Sequence, residues 1–234
     1  STCTYITTKL AARGYLSRDG FGRFHLGLKT VALAHGALHG LGYRSISEPV
    51  LYRLTTETGL SAGIGVRQGT SVLLVDRVEG PDVVEKVMEE GKGKRRTRAR
   101  VDRDIGRELP FHSTALGKVL LAYLGDTERD QLMDTLEMNP QTQSTIRSKR
   151  ELRDSLVEVR KHGYALAEEE HHSTVRALAV PIFGPAREVG AALSLNGPPG
   201  APAWEEISDL VGKVQTAAAQ ISLHLRNGLL SSGF

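Results

Sequence analysis

Apolar positions along this chain recur at two spacings, and the chain divides where the spacing changes. Leu28, Val31, Ala34, Leu38 and Leu41 fall at helical spacing, with Ala32, Leu33 and Ala37 broadening the stripe, and predict a helix over 28–42. Gly36, Gly40 and Gly42 weaken it toward its end. A second amphipathic stretch, Ile46 to Gly59, carries Pro49 in its first turn and stops at the glycine. The spacing then shortens to that of strands, at 62–66, 72–78 and 83–88, with a Gln68-Gly69-Thr70 turn between the first two. Leu109 to Leu124 begins extended and ends as a helix, with His112, Ser113 and Thr114 at the changeover. A hydroxyl residue before an apolar-periodic run marks a helix start. Asp126 caps a helix reaching about Glu137. Ser148 and Glu151 form a capping box for a helix using Leu152, Leu156, Val157 and Val159, which Gly163 ends. Strands are predicted at 164–168, 175–183 and 189–195, a Gly- and Pro-rich loop at 197–203, and a long amphipathic helix from Trp204 to Arg226 using Ile207, Leu210, Val211, Val214, Ala218, Ile221 and Leu225.

Ahead of these, residues 1–14 predict a short helix, capped by Ser1 or Thr2 and closed by Gly14, with Tyr5, Ile6 and Leu10 able to face inward. Two short extended runs, 15–18 and 23–26, flank Asp19-Gly20-Phe21-Gly22 and predict a β-hairpin. A helix followed by a small basic hairpin matches the back half of a winged helix-turn-helix, in which the helix enters the major groove and the hairpin is the wing. An ordinary helix-hairpin packed on a larger domain accounts for the same residues. One helix and a hairpin cannot bury a real core, so the chain is expected to begin within such a domain.

From residue 45 onward strands and helices segregate into runs, which argues an α+β fold with an antiparallel sheet flanked by helices. That arrangement resembles ligand-sensing domains of the GAF or PAS kind more than a Rossmann sheet. No G-x-G-x-x-G or G-x-x-x-x-G-K-[ST] stands in a strand-to-helix setting. The predicted division is therefore 1–27, a partial winged helix-turn-helix; 28–44, a linker helix; and 45–234, an effector-binding domain.

Composition adds exclusions. The 234 residues are 40% hydrophobic, with no apolar run long enough to cross a membrane. No signal peptide opens the chain, so a cytoplasmic protein is expected. One cysteine, Cys3, excludes a disulfide framework within one chain and a multi-cysteine metal site. The net charge of +3 is unevenly placed. Lys92 to Arg107 holds eight Lys or Arg against Asp102 and Asp104, so this one stretch accounts for the positive balance. It reads as a solvated loop or as a contact for phosphates or an acidic partner.

Chemistry-bearing clusters are few. Glu168, Glu169, Glu170, His171 and His172 could contribute metal ligands, with His112 joining in space, and a metal-dependent hydrolase built on Glu168, Glu170, His112 and His171 is one reading. Neighbours on a strand alternate faces, and the spacing does not match H-E-x-x-H, so a polar strand end suffices. Ser113 beside His112 lacks a G-x-S-x-G elbow and a third orienting group. No catalytic set, metal or cofactor is predicted. The first turn of the helix after Thr114 offers unpaired backbone N–H groups, a place for a small anion.

Several blocks, in order, resemble the IclR family of bacterial transcription regulators. They are Ala12 to Asp19 with Gly22 to Gly27; Asp76-Arg77-Val78-Glu79-Gly80; Leu109 to Lys118 (LPFHSTALGK); Gly163-Tyr164-Ala165 with Val180-Pro181-Ile182-Phe183; and Leu193 to Pro198. The resemblance spans nearly the whole chain. It implies a winged helix-turn-helix, a linker helix and an α+β effector domain, in dimers or pairs of dimers that bind a double-stranded DNA operator and respond to a small-molecule effector, commonly an organic or aromatic acid. It would place Ser1, Thr2, Thr4, Tyr5 and Lys9 on the recognition helix, with Arg18 and Arg23 on phosphates from the wing. A sensor acting only through protein partners is the competing reading.

The same resemblance places the effector at Thr114, Ala115 and Leu116, whose backbone would hold it, with Ala167, Ala177, Ser194 and Asn196 around it. This chain departs from the family there. An acidic residue is usual where Ala167 stands, cysteine where Ala177 stands, glycine where Ala115 stands, serine where Asn196 stands and glycine where Thr174 stands. A more apolar wall implies an effector larger or more apolar than a two- or three-carbon acid.

Overall fold

A computed structural model describes residues 2–40, 44–80 and 105–231. Ser1, the predicted strand at 83–88 and most of the basic stretch from Lys92 lie outside the described residues. The chain forms two compact units, 1–45 and 46–234.

In the first unit, α1 (Thr2–Ala12) leads through Gly14 to the hairpin of β1 (Leu16–Arg18) and β2 (Phe24–Leu26), followed by α2 (Lys29–Gly40). The strands pair antiparallel, Leu16 with Leu26 and Arg18 with Phe24. Asp19 organises the turn. Its Oδ1 accepts the amides of Phe21 and Arg23, each at 2.9 Å, and its Oδ2 lies 2.9 Å from Arg23 Nε and 3.0 Å from His25 Nε2. Such a side-chain-to-backbone turn is the reason Asp is favoured there. Within the described residues Tyr5, Ile6 and Leu10, expected as able to face inward, are 65%, 50% and 37% exposed.

The second unit is an α+β sandwich around one six-stranded sheet. Its order is β5-β4-β3-β8-β7-β6, every neighbouring pair antiparallel. The strands are β3 (Ser61–Gln68), β4 (Ser71–Val78), β5 (Glu108–Leu109), β6 (Ala165–Glu168), β7 (Arg176–Phe183) and β8 (Val189–Gly197). The two runs of strands predicted from the sequence meet through β3 and β8. The helices are α3 (Arg44–Thr58), α4 (Ala115–Ala122), α5 (Asp126–Thr135), α6 (Lys149–His162) and α7 (Ile207–Ser231).

Register explains how α4 sits on the sheet. Ala167, Ala177, Asn196 and Ser61 form one row across four strands, and Ala179, Ser194, Gly63 and Arg77 another. These are mostly small residues, so a helix can approach closely. Gly65 shares the face, and a Cβ there would come within 3.0 Å of Leu116 Cδ1. Behind α4 lie α5 and α6, with Met133, Leu152, Leu156 and Val159 in the same core. The opposite face is carried by α7, which packs on β7 and β8 through Leu210, Val214, Ala218 and Ile221.

Local differences from the sequence expectations have physical reasons. Helix α3 begins at Arg44, so Pro49 stands inside it rather than in its first turn; the missing N–H removes only the bond to the Ser45 carbonyl. Gly125, not Asp126, is the N-cap of α5, and Asp126 sits in its first turn, 2.9 Å from Arg129. Ser148 caps α6 by accepting the Glu151 amide, but the Glu151 carboxylate reaches the amide of Arg147 rather than that of Ser148. Val157 is exposed, since α6 buries one narrow stripe. Trp204 belongs to a short 3₁₀ turn before α7, its Nε1 donating to the Pro198 carbonyl.

Candidate functional site

A pocket of about 200 Å³ opens over the N-terminus of α4, entirely within the second unit. Its floor is Ser113, Thr114, Ala115 and Leu116. The sheet side is Ala167 and Ala177 from β6 and β7, Ser194 and Asn196 from β8, and Leu74 and Arg77 from β4. Leu109, Arg107, His171, His172 and Val175 complete it. The structure therefore brings Thr114, Ala115, Leu116, Ala167, Ala177, Ser194 and Asn196 around one cavity.

The floor is a capped helix start. Thr114 is extended (φ −122°, ψ 145°); its Oγ1 accepts the Gly117 amide at 3.1 Å and donates to the Pro110 carbonyl at 2.7 Å. The Lys118 amide bonds the Thr114 carbonyl at 3.0 Å. Among the described residues the amides of Ala115 and Leu116 have no acceptor, so N–H groups orphaned at the helix start remain for an anion.

Arg77 reaches the pocket because of a β-bulge. Gly65 pairs with Leu74 and Ile64 with Asp76, leaving Val75 as an extra residue in β4. Arg77 then falls on the same face as Leu74, which a strict two-residue period would not allow. Its guanidinium is ion-paired to Glu79, Nε to Oε1 at 2.8 Å. Arg107 stands at the rim. Among the described residues no Asp or Glu lines the pocket, whose charged and polar lining includes Arg77, itself paired to Glu79, Arg107, His171, His172 and a helix start.

His171 is half-buried, its Nδ1 3.4 Å from Ser113 Oγ. Burial holds its pKa below the ordinary imidazole value, and Arg107, His172 and His112 push it the same way. The run Glu168 to His172 disperses. Glu168 pairs with Arg176, Glu170 with Lys118, and His172 with Thr174, while His112 bonds the Asn139 carbonyl. Among the described residues no three His, Cys, Asp or Glu side chains converge as metal ligands.

Sequence reasoning misses Arg77, Arg107, Ser113, His171 and His172 as pocket residues. The signal for Arg77, an extra residue in β4, is invisible to alternation. Ser113 and His171 stand out in the sequence only as candidates for catalysis or metal binding.

In the first unit, Thr2, Thr4, Tyr5 and Lys9 lie on α1 and all are exposed, with Lys9 Nζ 5.5 Å from the Tyr5 ring centre. Arg18 bonds the Gly22 carbonyl and stacks on Phe24. Arg23 is held by Asp19 and stacks on Phe21, its side chain still 71% exposed.

Residues 92–223 match the family described as the C-terminal domain of the bacterial transcriptional regulator IclR. The chain belongs to the IclR family of bacterial transcriptional regulators. It is 31% identical over 197 residues to the HTH-type transcriptional regulator XynR of Escherichia coli, covering 84% of this chain and 72% of that one. Among solved structures, the Thermotoga maritima IclR aligns with a TM-score of 0.73 at 26% identity, over 95% of this chain and 84% of that one. An IclR homolog from Microbacterium hydrocarbonoxydans, solved in complex with 4-hydroxybenzoate, shares the fold with a TM-score of 0.75 at 23% identity, over 97% and 85% of the two chains. These relatives are regulators of transcription, not enzymes.

Proposed function

We propose that the chain is an operator-binding regulator whose grip on DNA is set by a small organic acid held over the start of α4. The observation that carries this is the pocket itself: the unpaired amides of Ala115 and Leu116 at a helix N-terminus, apolar walls and, among the described residues, no lining carboxylate. An acid's carboxylate would take the amides of Ala115 and Leu116, with Ala167, Ala177, Leu74 and Val175 around its apolar part. A dry cavity of about 150 Å³ accepts benzene. A pocket of about 200 Å³ thus suits a single-ring or comparably long acid better than glyoxylate or pyruvate. The 4-hydroxybenzoate complex of a protein with this fold supports the same size class.

In this reading 1–27 is the DNA-binding part, 28–44 the linker and 45–234 the effector domain. Ser1, Thr2, Thr4, Tyr5 and Lys9 face base edges and backbone, with Arg18 and Arg23 on phosphates. The working form is a cytoplasmic homodimer or a pair of dimers. Among the described residues no helix is long and apolar enough to cross a membrane.

The test selects duplexes from a random pool with the full-length protein, with and without 4-hydroxybenzoate, pyruvate or glyoxylate. An enriched sequence whose occupancy changes with an acid is expected. No preference over random duplex at physiological salt overturns the DNA reading. Thermal stabilisation by glyoxylate or pyruvate but not by aromatic acids overturns the size assignment.

A further inference from the structure

Unfavourable features converge on one short segment beside the pocket, the loop from Glu169 to Thr174 between β6 and β7. Glu169 adopts φ +56°, left-handed backbone that non-glycine residues rarely take. Glu170 is buried and ion-paired to Lys118, Nζ to Oε1 at 2.6 Å, the two side chains 11% and 4% exposed. Among the described residues its buried Oε2 has no hydrogen-bond partner. A buried ion pair with an unsatisfied oxygen is seldom the most stable choice for a site, because desolvation offsets the attraction. Burial raises the Glu170 pKa even though Lys118 opposes the shift.

Three tethers nonetheless fasten the segment. Lys118 Nζ, besides holding Glu170, donates to the Leu166 carbonyl at 3.0 Å. Thr142 Oγ1 donates to the Glu169 carbonyl at 2.7 Å, and Thr145 Oγ1 to the Glu170 carbonyl at 2.6 Å. The next residue is His171, which lines the pocket against Ser113. Lys118 itself lies one turn beyond the amides of Ala115 and Leu116 on the same helix. The ion pair thus joins the pocket floor directly to the residue preceding the imidazole in its wall.

We infer that Lys118 and Glu170 are positioning residues, which fix His171 against Ser113 so that its imidazole meets the effector at a set distance from the floor of α4. His171 then determines specificity, favouring acids that carry a second hydrogen-bonding group away from the carboxylate. This rests on the proposed effector site, but the placement of His171 is testable without any ligand.

The test replaces both charges at once, Lys118→Met with Glu170→Met, since exchanging a buried pair for apolar side chains of similar size commonly preserves the fold. The imidazole signals of His171 are followed by NMR against pH in the full chain, with the exposed His162 and His224 as internal controls. Loosening the loop relieves the burial of His171, whose other influences are Arg107, His172 and His112. Its pKa should rise toward the ordinary imidazole value, with no change in the control signals. The Kd for 4-hydroxybenzoate should rise about fivefold to tenfold, the scale of one lost hydrogen bond, and that for benzoate much less. Thr142→Val, which removes one tether and keeps the ion pair, should move both readouts the same way by less, and it decides the matter if the double variant does not fold.

A folded double variant, or failing that Thr142→Val, with an unchanged His171 titration overturns the positioning role. A shifted titration in a protein whose wild-type form binds neither acid upholds the positioning and overturns the effector reading. Equal losses for benzoate and 4-hydroxybenzoate overturn the specificity role.

Discussion

Thr114 and Gly117 are locked together at the start of α4, the threonine hydroxyl accepting the glycine amide at 3.1 Å. The same hydroxyl donates to the Pro110 carbonyl, tying the extended approach to the first helical turn. Thr114→Ala removes both bonds, and a lost N-cap costs about 1–2 kcal/mol. The melting temperature should fall by about 2–8 °C for a unit of this size, as read by calorimetry. Thr114→Ser, which keeps the hydroxyl, should recover most of that. A Ser variant as unstable as the Ala variant would show that the methyl group, not the cap, matters.

Gly117 separates two effects of opposite sign. Alanine is the better helix former by about 1 kcal/mol. A Cβ at Gly117, however, would stand 2.4 Å from both the Cα and the carbonyl oxygen of Phe111, backbone atoms that cannot swing aside. Overpacking of that kind costs about 1–3 kcal/mol or more, so the clash wins and Gly117→Ala destabilises. Gly212, within α7, would meet nothing within 4 Å, so Gly212→Ala should stabilise by about 0.5–1 kcal/mol. Denaturant midpoints of the two variants should move in opposite directions, and equal movement would refute the packing argument.

The hairpin of the first unit has its own pH signature. The hydrogen bond from His25, then those from Arg23 and Phe21, hold the Asp19 pKa near 2, against an ordinary value of 3.8. A depressed folded-state pKa means that the contribution is whole above 3.8 and fades as pH falls toward about 2. Amide shifts of Phe21 and Arg23 should therefore hold through pH 4 and change near pH 2. A midpoint at or above 3.8 would show that the Asp19 cluster does not form in solution.

Legibility in the sequence depends on the range of each interaction. The strand runs, the Ser148 cap, the Gly163 stop and the Thr114 helix start depend on neighbours within a turn, and periodicity or cap chemistry exposes them. The seven positions expected around an effector come from the resemblance, and the sheet register gathers Ala167, Ala177, Ser194 and Asn196 beside Thr114, Ala115 and Leu116 at the start of α4. Arg77 escapes notice because a single extra residue at Val75 reverses the face of every later position in β4. The Lys118–Glu170 pair joins residues 52 apart in sequence, and nothing local marks either as buried.

Binding of an acid should be linked to protons through His171. Burial lowers its pKa, with Arg107, His172 and His112 acting in the same direction, so near neutral pH it is largely uncharged. A carboxylate in the pocket favours the imidazolium and raises that pKa, so binding takes up protons. Affinity for 4-hydroxybenzoate should rise as pH falls from 8, by at most about tenfold per pH unit, and level off below the His171 pKa of the ligand-free protein. Calorimetry at one pH in two buffers of different ionisation enthalpy reads the uptake directly. Zero uptake across pH 5.5–8 would show that the bound carboxylate does not act on His171, and His171→Asn should abolish the dependence.

The proposed anion site at the helix start can be tested one donor at a time. Ala115 is the first helical residue of α4, a position where proline is well tolerated because the amide has no intrahelical partner. Thr114 ahead of it is already extended, as a residue before proline prefers. Ala115→Pro should therefore delete one of these free amides while leaving the helix and its Thr114 cap in place. A hydrogen bond to a charged group contributes about 1.5–3 kcal/mol, so the Kd for 4-hydroxybenzoate should rise about tenfold to a hundredfold, with the melting temperature of the ligand-free protein nearly unchanged. Phenol, which fills the apolar part of the pocket without a carboxylate, should bind the variant and the parent alike. Unchanged affinity for the acid in a folded Ala115→Pro variant would place the carboxylate elsewhere in the pocket, with Arg107 at the rim as the next group to replace.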